Sequence, residues 1–411
     1  MDRAHTFEQT RRSLGFDRCV ECGDCLVHCR YMDLDRRAAQ REVALIKQGA
    51  IRESIAMSEC RSCYACNTVC PTDAHPYERI HLLWAQHHFT DGLPIRAQYI
   101  LPSSSWEHFR QDLPFDSRER TLHRRWSVEQ PPGPICLFAG CNLLAAPRLA
   151  EGAIFDHLPV WGRFDLCCGE MFWRMGLVEA AARHAARLEA FFRGKPVEEL
   201  VLLCPAGQQM LTHIFPEHLG VRLPFRVTGF ADWMLAALDS GRIRLQQPFR
   251  GESIVLHDSC QGRLLGEAFM DRQRELLERL GLMVYETPRN RTSGLCCGIA
   301  SGCKSLDPRH VIADGMRQLV ELDRAPGDLI AVYCTGCLHT LNALGQLKGL
   351  LPDAPDSLWG RRKPIASVLE LVRQALGERI ELDGAARARQ MLLGIARHAL
   401  PALVSPARFQ P

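Results

Sequence analysis

The chain has 411 residues but no run of 18 apolar ones, no Gly-x-Gly-x-x-Gly and no Walker A stretch. The first absence leaves no expected membrane-spanning helix; even the C-terminal apolar stretch is cut by Arg397 and His398. The other two remove support for nucleotide or dinucleotide binding. Charge of one sign is also scarce. A formal net charge of +3 carries no basic excess, so nucleic acid is not an expected partner. Residues Met1 to Leu14 lack the apolar segment of a secretory leader. The twin arginines of "TRRSLGF" (Thr10 to Phe16) run into charged residues and cysteines instead. The expected location is therefore cytoplasmic.

What is abundant is cysteine. Nineteen thiols exceed what a soluble enzyme needs, and an odd total suits a closed disulfide framework poorly. The reading is a reduced-compartment protein whose cysteines hold metal. Apolar residues make up 46% and charged residues 24%, enough for real cores in about two to four domains.

Eight cysteines fall in two runs, Cys19-x2-Cys22-x2-Cys25-x3-Cys29 and Cys60-x2-Cys63-x2-Cys66-x3-Cys70-Pro71. In this ferredoxin spacing, three cysteines wrap one cubane and the fourth points to the other cluster. Cys19, Cys22, Cys25 and Cys70 are thus expected on one [4Fe–4S] cluster, and Cys60, Cys63, Cys66 and Cys29 on the other. Zinc also uses Cys-x2-Cys units, but rarely eight thiols in this pattern. Arg30 stands where the run usually carries proline; proline is no ligand, so the assignment is unaffected. The flanks "RRAAQREVALIKQG" and "YERIHLLWAQHH" read as helical. The group Arg11, Arg12, Arg18, Arg36 and Arg37 reads as a solvated face, with docking of an acidic redox partner as the alternative.

Beyond a proline-bearing connector, Gln111 to Pro134, two segments repeat one another. "PICLFAGC" ending at Cys141 matches "SIVLHDSC" ending at Cys260, and "LCCG" recurs at 166–169 and 295–298. "LLCPAGQQML" from Leu202 matches "VYCTGCLHTL" from Val332. The first copy is ten residues shorter before its double cysteine and has Gly207 opposite Cys337. Short apolar runs (Ile135–Ala139, Val201–Leu203, Ile254–His257, Leu329–Tyr333) read as buried parallel strands alternating with helices. The second copy reads Cys260-x35-Cys296-Cys297-x36-Cys334-x2-Cys337. Five thiols are one more than a cubane needs, and adjacent cysteines with divergent side chains suit two irons or one bridging thiolate. An iron–sulfur assembly that is not a simple cube is expected.

This duplicated Cys…Cys-Cys-Gly…Cys-x2-Cys pattern resembles the cysteine-rich CCG domain. That domain occurs in heterodisulfide reductase catalytic subunits, the glycolate oxidase iron–sulfur subunit, and related lactate and glycerol-3-phosphate dehydrogenase subunits. Fused heterodisulfide reductase subunits join a C-type ferredoxin domain to B-type CCG domains in this same order, so the resemblance covers nearly the whole chain. It implies a non-cubane [4Fe–4S] cluster on Cys260, Cys296, Cys297, Cys334 and Cys337, fed by the two cubanes. For the first copy, Cys141, Cys167, Cys168 and Cys204 remain; a further cluster there and a decayed half that supplies only fold are both open. Cys136 and Cys303 match no position and read as core thiols. His257 and His339 flank the second site as hydrogen-bonding or proton-donating candidates.

The expected fold is α+β multidomain. A helical two-[4Fe–4S] ferredoxin domain (1–110) and a linker (111–134) precede two pseudo-symmetric α/β CCG modules, one degenerate (135–248) and one complete (249–376). A helical tail follows (377–411). The expected function is an iron–sulfur electron-transfer oxidoreductase subunit, serving disulfide/dithiol or quinone-linked chemistry. The alternative is an electron relay for a flavin-dependent glycolate, lactate or glycerol-3-phosphate dehydrogenase. Expected partners are a flavoprotein or other redox subunits. A membrane cytochrome or quinone-reactive partner would hold the chain peripherally at the inner face of the membrane. The tail "RARQMLLGIARHALPALV" (Arg387 to Val404) reads as a packed amphipathic helix, with surface docking as the alternative.

Overall fold

A computed structural model describes residues 3–102, 112–126, 130–163, 165–305, 307–347 and 363–410. Parts of the expected linker (111 and 127–129) and the Cys303 side chain lie outside the described residues. The N-terminal part is helical around its cysteine loops. Helix Arg36–Gln48 starts where the Asp35 side chain accepts from the Ala38 N–H and stops at Gly49, which is left-handed. Helix Pro76–Asp91 opens on a proline whose missing N–H costs nothing there. Together they enclose a small core of Leu26, Ala39, Val43, Ile46, Ile51 and Ile80. A two-residue strand, β1 (Leu93–Pro94), closes this part.

Two four-stranded parallel sheets follow. The first contains β2 (Ile135–Phe138), β3 (Val160–Trp161), β4 (Glu199–Leu202) and β5 (Arg226–Gly229), in the order β3-β2-β4-β5. The second contains β6 (Ser253–His257), β7 (Met283–Tyr285), β8 (Leu329–Val332) and β9 (Ile365–Ser367), in the order β7-β6-β8-β9. The four apolar runs read from the sequence are the two central strands of each sheet. They carry no polar alternation because both faces are covered. Leu137 and Val201 on one face of the first sheet share a core with Val255, Leu256, Ile330 and Ala331 of the second. Cys136, Phe138, Leu200 and Leu202 on its other face pack with Leu82, Trp84 and Ala85 of the N-terminal helix. The first sheet is thus sandwiched between the ferredoxin-like part and the second sheet. Cys136 is a core residue of that layer.

The described part of the connector, 112–126, carries a helix that packs against the rest of the chain. Helix Ser117–Arg125 begins with a capping box between Asp116 and Glu119. Glu119 is fully buried and holds Arg387 of the C-terminal helix Gly384–His398 at 2.8 Å. The last strand, β10 (Arg408–Phe409), pairs antiparallel with β1, so the chain end returns to the ferredoxin-like part. Leu393, Leu400 and Val404 stay exposed on this tail.

Trp126, at the end of the connector helix, is 0% exposed within the shared core. Trp126→Ala should lower stability by about 3–5 kcal/mol in denaturant unfolding, the usual cost of emptying a buried aromatic site. A residue on a solvated linker would stay within about 0.5 kcal/mol, and that outcome would show the connector undocked.

Candidate metal centres

The eight N-terminal thiols fall into two neighbourhoods. Burial and the nearby Cys70, Cys19 and Cys22 push the Cys25 thiol up to about 12. Burial likewise pushes Cys29 up to about 12, with Cys63 and Cys60 adding to the effect. Cys66 is raised by burial and by Cys25, Cys60, Cys63 and Cys29, so it stands where the two groups abut. The fourth cysteine of each run therefore sits with the other run's triplet. The loops reach this shape through left-handed residues inside the triplets, Glu21 and Gly23 in the first and Ser62 and Tyr64 in the second. His81, wholly buried on the Pro76–Asp91 helix, lies 3.6 Å from Cys60 Sγ and 3.3 Å from Ser62 Oγ.

The remaining thiols gather at the carboxyl ends of the parallel strands, where α/β sheets collect functional groups. Cys141 and Cys260 follow β2 and β6 by three residues; Cys204 and Cys334 follow β4 and β8 by two. Both double cysteines precede a left-handed glycine that opens a helix: Gly169 (φ 77°) and Gly298 (φ 102°). At Gly298 a Cβ would meet Val311 O at 2.3 Å, so only glycine fits. The sharp turn aims each glycine N–H back at the first cysteine of its pair. Gly169 N lies 3.4 Å from Cys167 Sγ, and Gly298 N lies 3.3 Å from Cys296 Sγ. This is why the pairs are followed by glycine.

In the second repeat the thiols are neighbours in turn: Cys260 acts on Cys296, Cys296 on Cys297, Cys297 on Cys337, and Cys337 on Cys334. The Cys296 and Cys337 thiols pull Cys297 down to about 5. Cys334 is lowered too, first by Cys204 and then by Cys337. That first partner crosses between repeats. In the first repeat Cys167 neighbours Cys141 and Cys168, while Cys204 neighbours Cys334 of the second. Nine of the cysteines in the two repeats thus lie in neighbouring groups that meet at Cys204 and Cys334. His257, on the last residue of β6, has a ring nitrogen within 4.8 Å of both Cys297 Sγ and Cys337 Sγ. Burial pulls its pKa down to about 4, so it is neutral. His339 instead meets the Asn142 backbone carbonyl, its Nε2 at 3.1 Å.

Sequence reading missed the side chains that join these regions, because nothing distinguishes a buried arginine from a solvated one in a helical pattern. Arg174 is 3% exposed and pairs with buried Glu170 at 2.6 Å. Its guanidinium also donates to Ser62 O at 2.9 Å and to Cys260 Sγ at 3.8 Å, and lies over the Tyr64 ring. Arg30, the residue in the proline position, donates to Gly294 O and Thr292 O just before Cys296. Its departure from the run was a visible clue. Arg61 pairs with Asp314 at 3.2 Å, tying the second ferredoxin loop to helix Pro308–Arg324. Of the surface arginines, Arg36 pairs with Asp24, Arg18 with Asp73, and Arg11 and Arg12 with Glu8.

The donor set fits iron–sulfur groups. Buried thiols crowd together, receive backbone N–H groups at sulfur, and include the soft thiolate ligands that such clusters require.

Comparison with known proteins agrees on class. Residues 15–74 match the 4Fe-4S dicluster domain family, and residues 254–342 match the cysteine-rich domain family, CCG. The chain therefore joins a 4Fe-4S dicluster domain to a CCG cysteine-rich domain, the combination that the resemblance led one to expect. Among curated relatives, an EtfAB:quinone oxidoreductase of Syntrophomonas wolfei is 23% identical over 70% of this chain and 42% of its own length. A ferredoxin:CoB-CoM heterodisulfide reductase component of Methanosarcina acetivorans is 35% identical over 29% of this chain and 51% of its own. FadF of Bacillus subtilis, an iron-sulfur-binding oxidoreductase, is 25% identical over 38% of this chain and 21% of its own. The chain thus spans about half or less of the length of these relatives. Among the described residues, no helix is long and apolar enough to cross a membrane.

Because Arg174 and Glu170 are both desolvated, removing one leaves the other buried and uncompensated. Arg174→Met should cost about 3–5 kcal/mol in unfolding free energy, and the double variant Glu170→Met/Arg174→Met should recover much of that loss. Additive losses in the double variant would show that the two do not act as a pair.

Proposed function

We propose that the chain is an iron–sulfur electron-relay subunit of a quinone-linked oxidoreductase. Two cubane [4Fe–4S] clusters would be held in its N-terminal domain, by Cys19, Cys22, Cys25 and Cys70 and by Cys60, Cys63, Cys66 and Cys29. A non-cubane [4Fe–4S] cluster would be held by Cys260, Cys296, Cys297, Cys334 and Cys337. The clusters supply one-electron transfer. The observation that carries the reading is contiguity: Arg30, next to Cys29 of the first ferredoxin run, donates to Gly294 O and Thr292 O just before the double cysteine. Arg174 makes a second link, from Ser62 O in the second ferredoxin loop to Cys260 Sγ.

The chain's own residues keep water out, fix the spacing between the thiol groups, and place positive charge beside Cys260 and the Cys296 loop. The relative aligned over most of this chain is named a quinone oxidoreductase, whereas the heterodisulfide reductase match is confined to 29% of it. That difference favours quinone-linked chemistry over disulfide reduction. The partners would be a flavoprotein on the donor side and a quinone-reactive membrane protein on the other.

The first repeat has the same strand order as the second, which supports reading it as a pseudo-symmetric CCG module without a complete site. At Gly207 an added Cβ would meet Leu202 Cδ2 at 2.8 Å, so a side chain there would displace the leucine.

Iron content and electron paramagnetic resonance of anaerobically prepared variants test this. Cys70→Ser should damage the cluster whose other ligands are Cys19, Cys22 and Cys25; loss confined to the Cys60–Cys66 cluster would reverse the crossed assignment. Cys297→Ser or Cys337→Ser should remove one distinct signal and abolish electron transfer to a soluble quinone analogue, with both ferredoxin signals intact. Cys168→Ser should cost far less. Equal loss from Cys168→Ser and Cys297→Ser would show both modules loaded and sink the asymmetric reading.

A further inference from the structure

We infer that His257 is a nitrogen ligand of the iron–sulfur group held by the second repeat; this rests on the ligand reading proposed above. Three observations carry it. First, the imidazole is 1% exposed and neither ring nitrogen has a hydrogen-bond partner. Among the described residues, no other histidine has both nitrogens buried and unpartnered. Buried polar atoms are nearly always paired, so such a ring calls for an explanation, and an ion is one of the few available. Second, a ring nitrogen and the Cys297 and Cys337 sulfurs all lie within 4.8 Å of one another. A nitrogen and two sulfurs at that separation are close enough to ligate one iron or two adjacent ones.

Third, the two repeats differ at two positions together. Where the second has His257, the matching position of the first is Phe138; where the second has Cys337, the first has Gly207. Both are donors that meet in the second repeat, and both are replaced by residues without a donor in the first. Phe138 is buried in the core behind the first sheet, so an aromatic side chain at this place packs well without polar partners. The histidine therefore brings donor atoms that packing does not need. Imidazole in place of thiolate raises the potential of iron–sulfur centres, which would suit a site that receives electrons from the cubanes.

The test is pulsed electron paramagnetic resonance on the full chain, reconstituted anaerobically, with and without 15N-histidine. The expected result is a strongly coupled nitrogen in the non-ferredoxin signal that changes isotope with the label. His257→Gln should lose that coupling and keep both ferredoxin signals. His257→Cys should keep the signal, lose the coupling and shift the midpoint potential of the site downward. A site signal with no label-sensitive nitrogen in the wild-type chain would overturn the inference while leaving the relay reading in place. No signal beyond the two ferredoxin clusters would instead remove the relay reading first, and the ligand with it. The wild-type labelling decides the matter even where a variant does not fold.

Discussion

Everything in the interior is arranged around the buried Glu170–Arg174 ion pair. Two charges taken out of water cost several kcal/mol each unless their remaining hydrogen-bonding capacity is met. Here it is met by three separate parts of the chain. Arg174 donates hydrogen bonds to the Ser62 carbonyl and the Cys260 sulfur. Glu170 accepts from the Tyr64 hydroxyl at 3.3 Å and from the Gln261 amide. The ferredoxin loop, the first repeat and the second repeat therefore share one polar cluster. A shift of the ferredoxin loop or the second repeat would leave part of the pair's hydrogen-bonding capacity unmet. Electron transfer depends steeply on separation, so a fixed spacing is what such a clasp contributes.

The pair grows from the first repeat, directly after its double cysteine. Four of its cysteines match positions of the second repeat, and one of them, Cys204, neighbours Cys334. Its third landmark helix also departs from its counterpart. In the second repeat, Thr335–Gln346 is one regular helix. In the first, Pro205–Gln209 runs into a π-helical turn at Met210–Ile214 before the chain continues at Phe215–His218. A π-turn shifts the register of side chains around the axis. The first repeat also supplies Arg174, whose guanidinium donates to Cys260 Sγ of the second.

Much of this was legible in the cysteine spacing, and for a physical reason. Ligand runs are local, so the triplets at Cys19–Cys25 and Cys60–Cys66 dictate their loops whatever surrounds them. Buried parallel strands such as Ile254–His257 were legible because covering both faces leaves an unbroken apolar run. The connector helix Ser117–Arg125 was harder: its pattern is almost wholly charged, and its docking rests on the single flanking Trp126 and on Glu119 meeting an arginine 268 residues away. Arg174 and the Cys204–Cys334 contact were not legible at all. Both are tertiary, and the sequence neighbourhood of Arg174, "EMFWRMG", looks like any amphipathic turn.

The two ends of the thiol path differ in exposure. The Cys19–Cys25 loop reaches the surface, where Val20 is 65% exposed and Cys22 is partly accessible. Lys47 and Arg36 brace that loop by bonding to the Cys19 and Cys22 carbonyls. Moving inward, Cys60 and then Cys260, Cys296, Cys297 and Cys337 are buried. A partner can approach the outer group closely, whereas the field between the sheets meets no solvent at these four sulfurs. Low dielectric strengthens every charge interaction there, so the Arg174 guanidinium at Cys260 weighs far more than a surface lysine would. The exposed end is screened by solvent, whereas at the desolvated end the paired Arg174 and Glu170 act through little screening. The first repeat contributes to that closure through Arg174, whose guanidinium bridges the Ser62 carbonyl and the Cys260 sulfur.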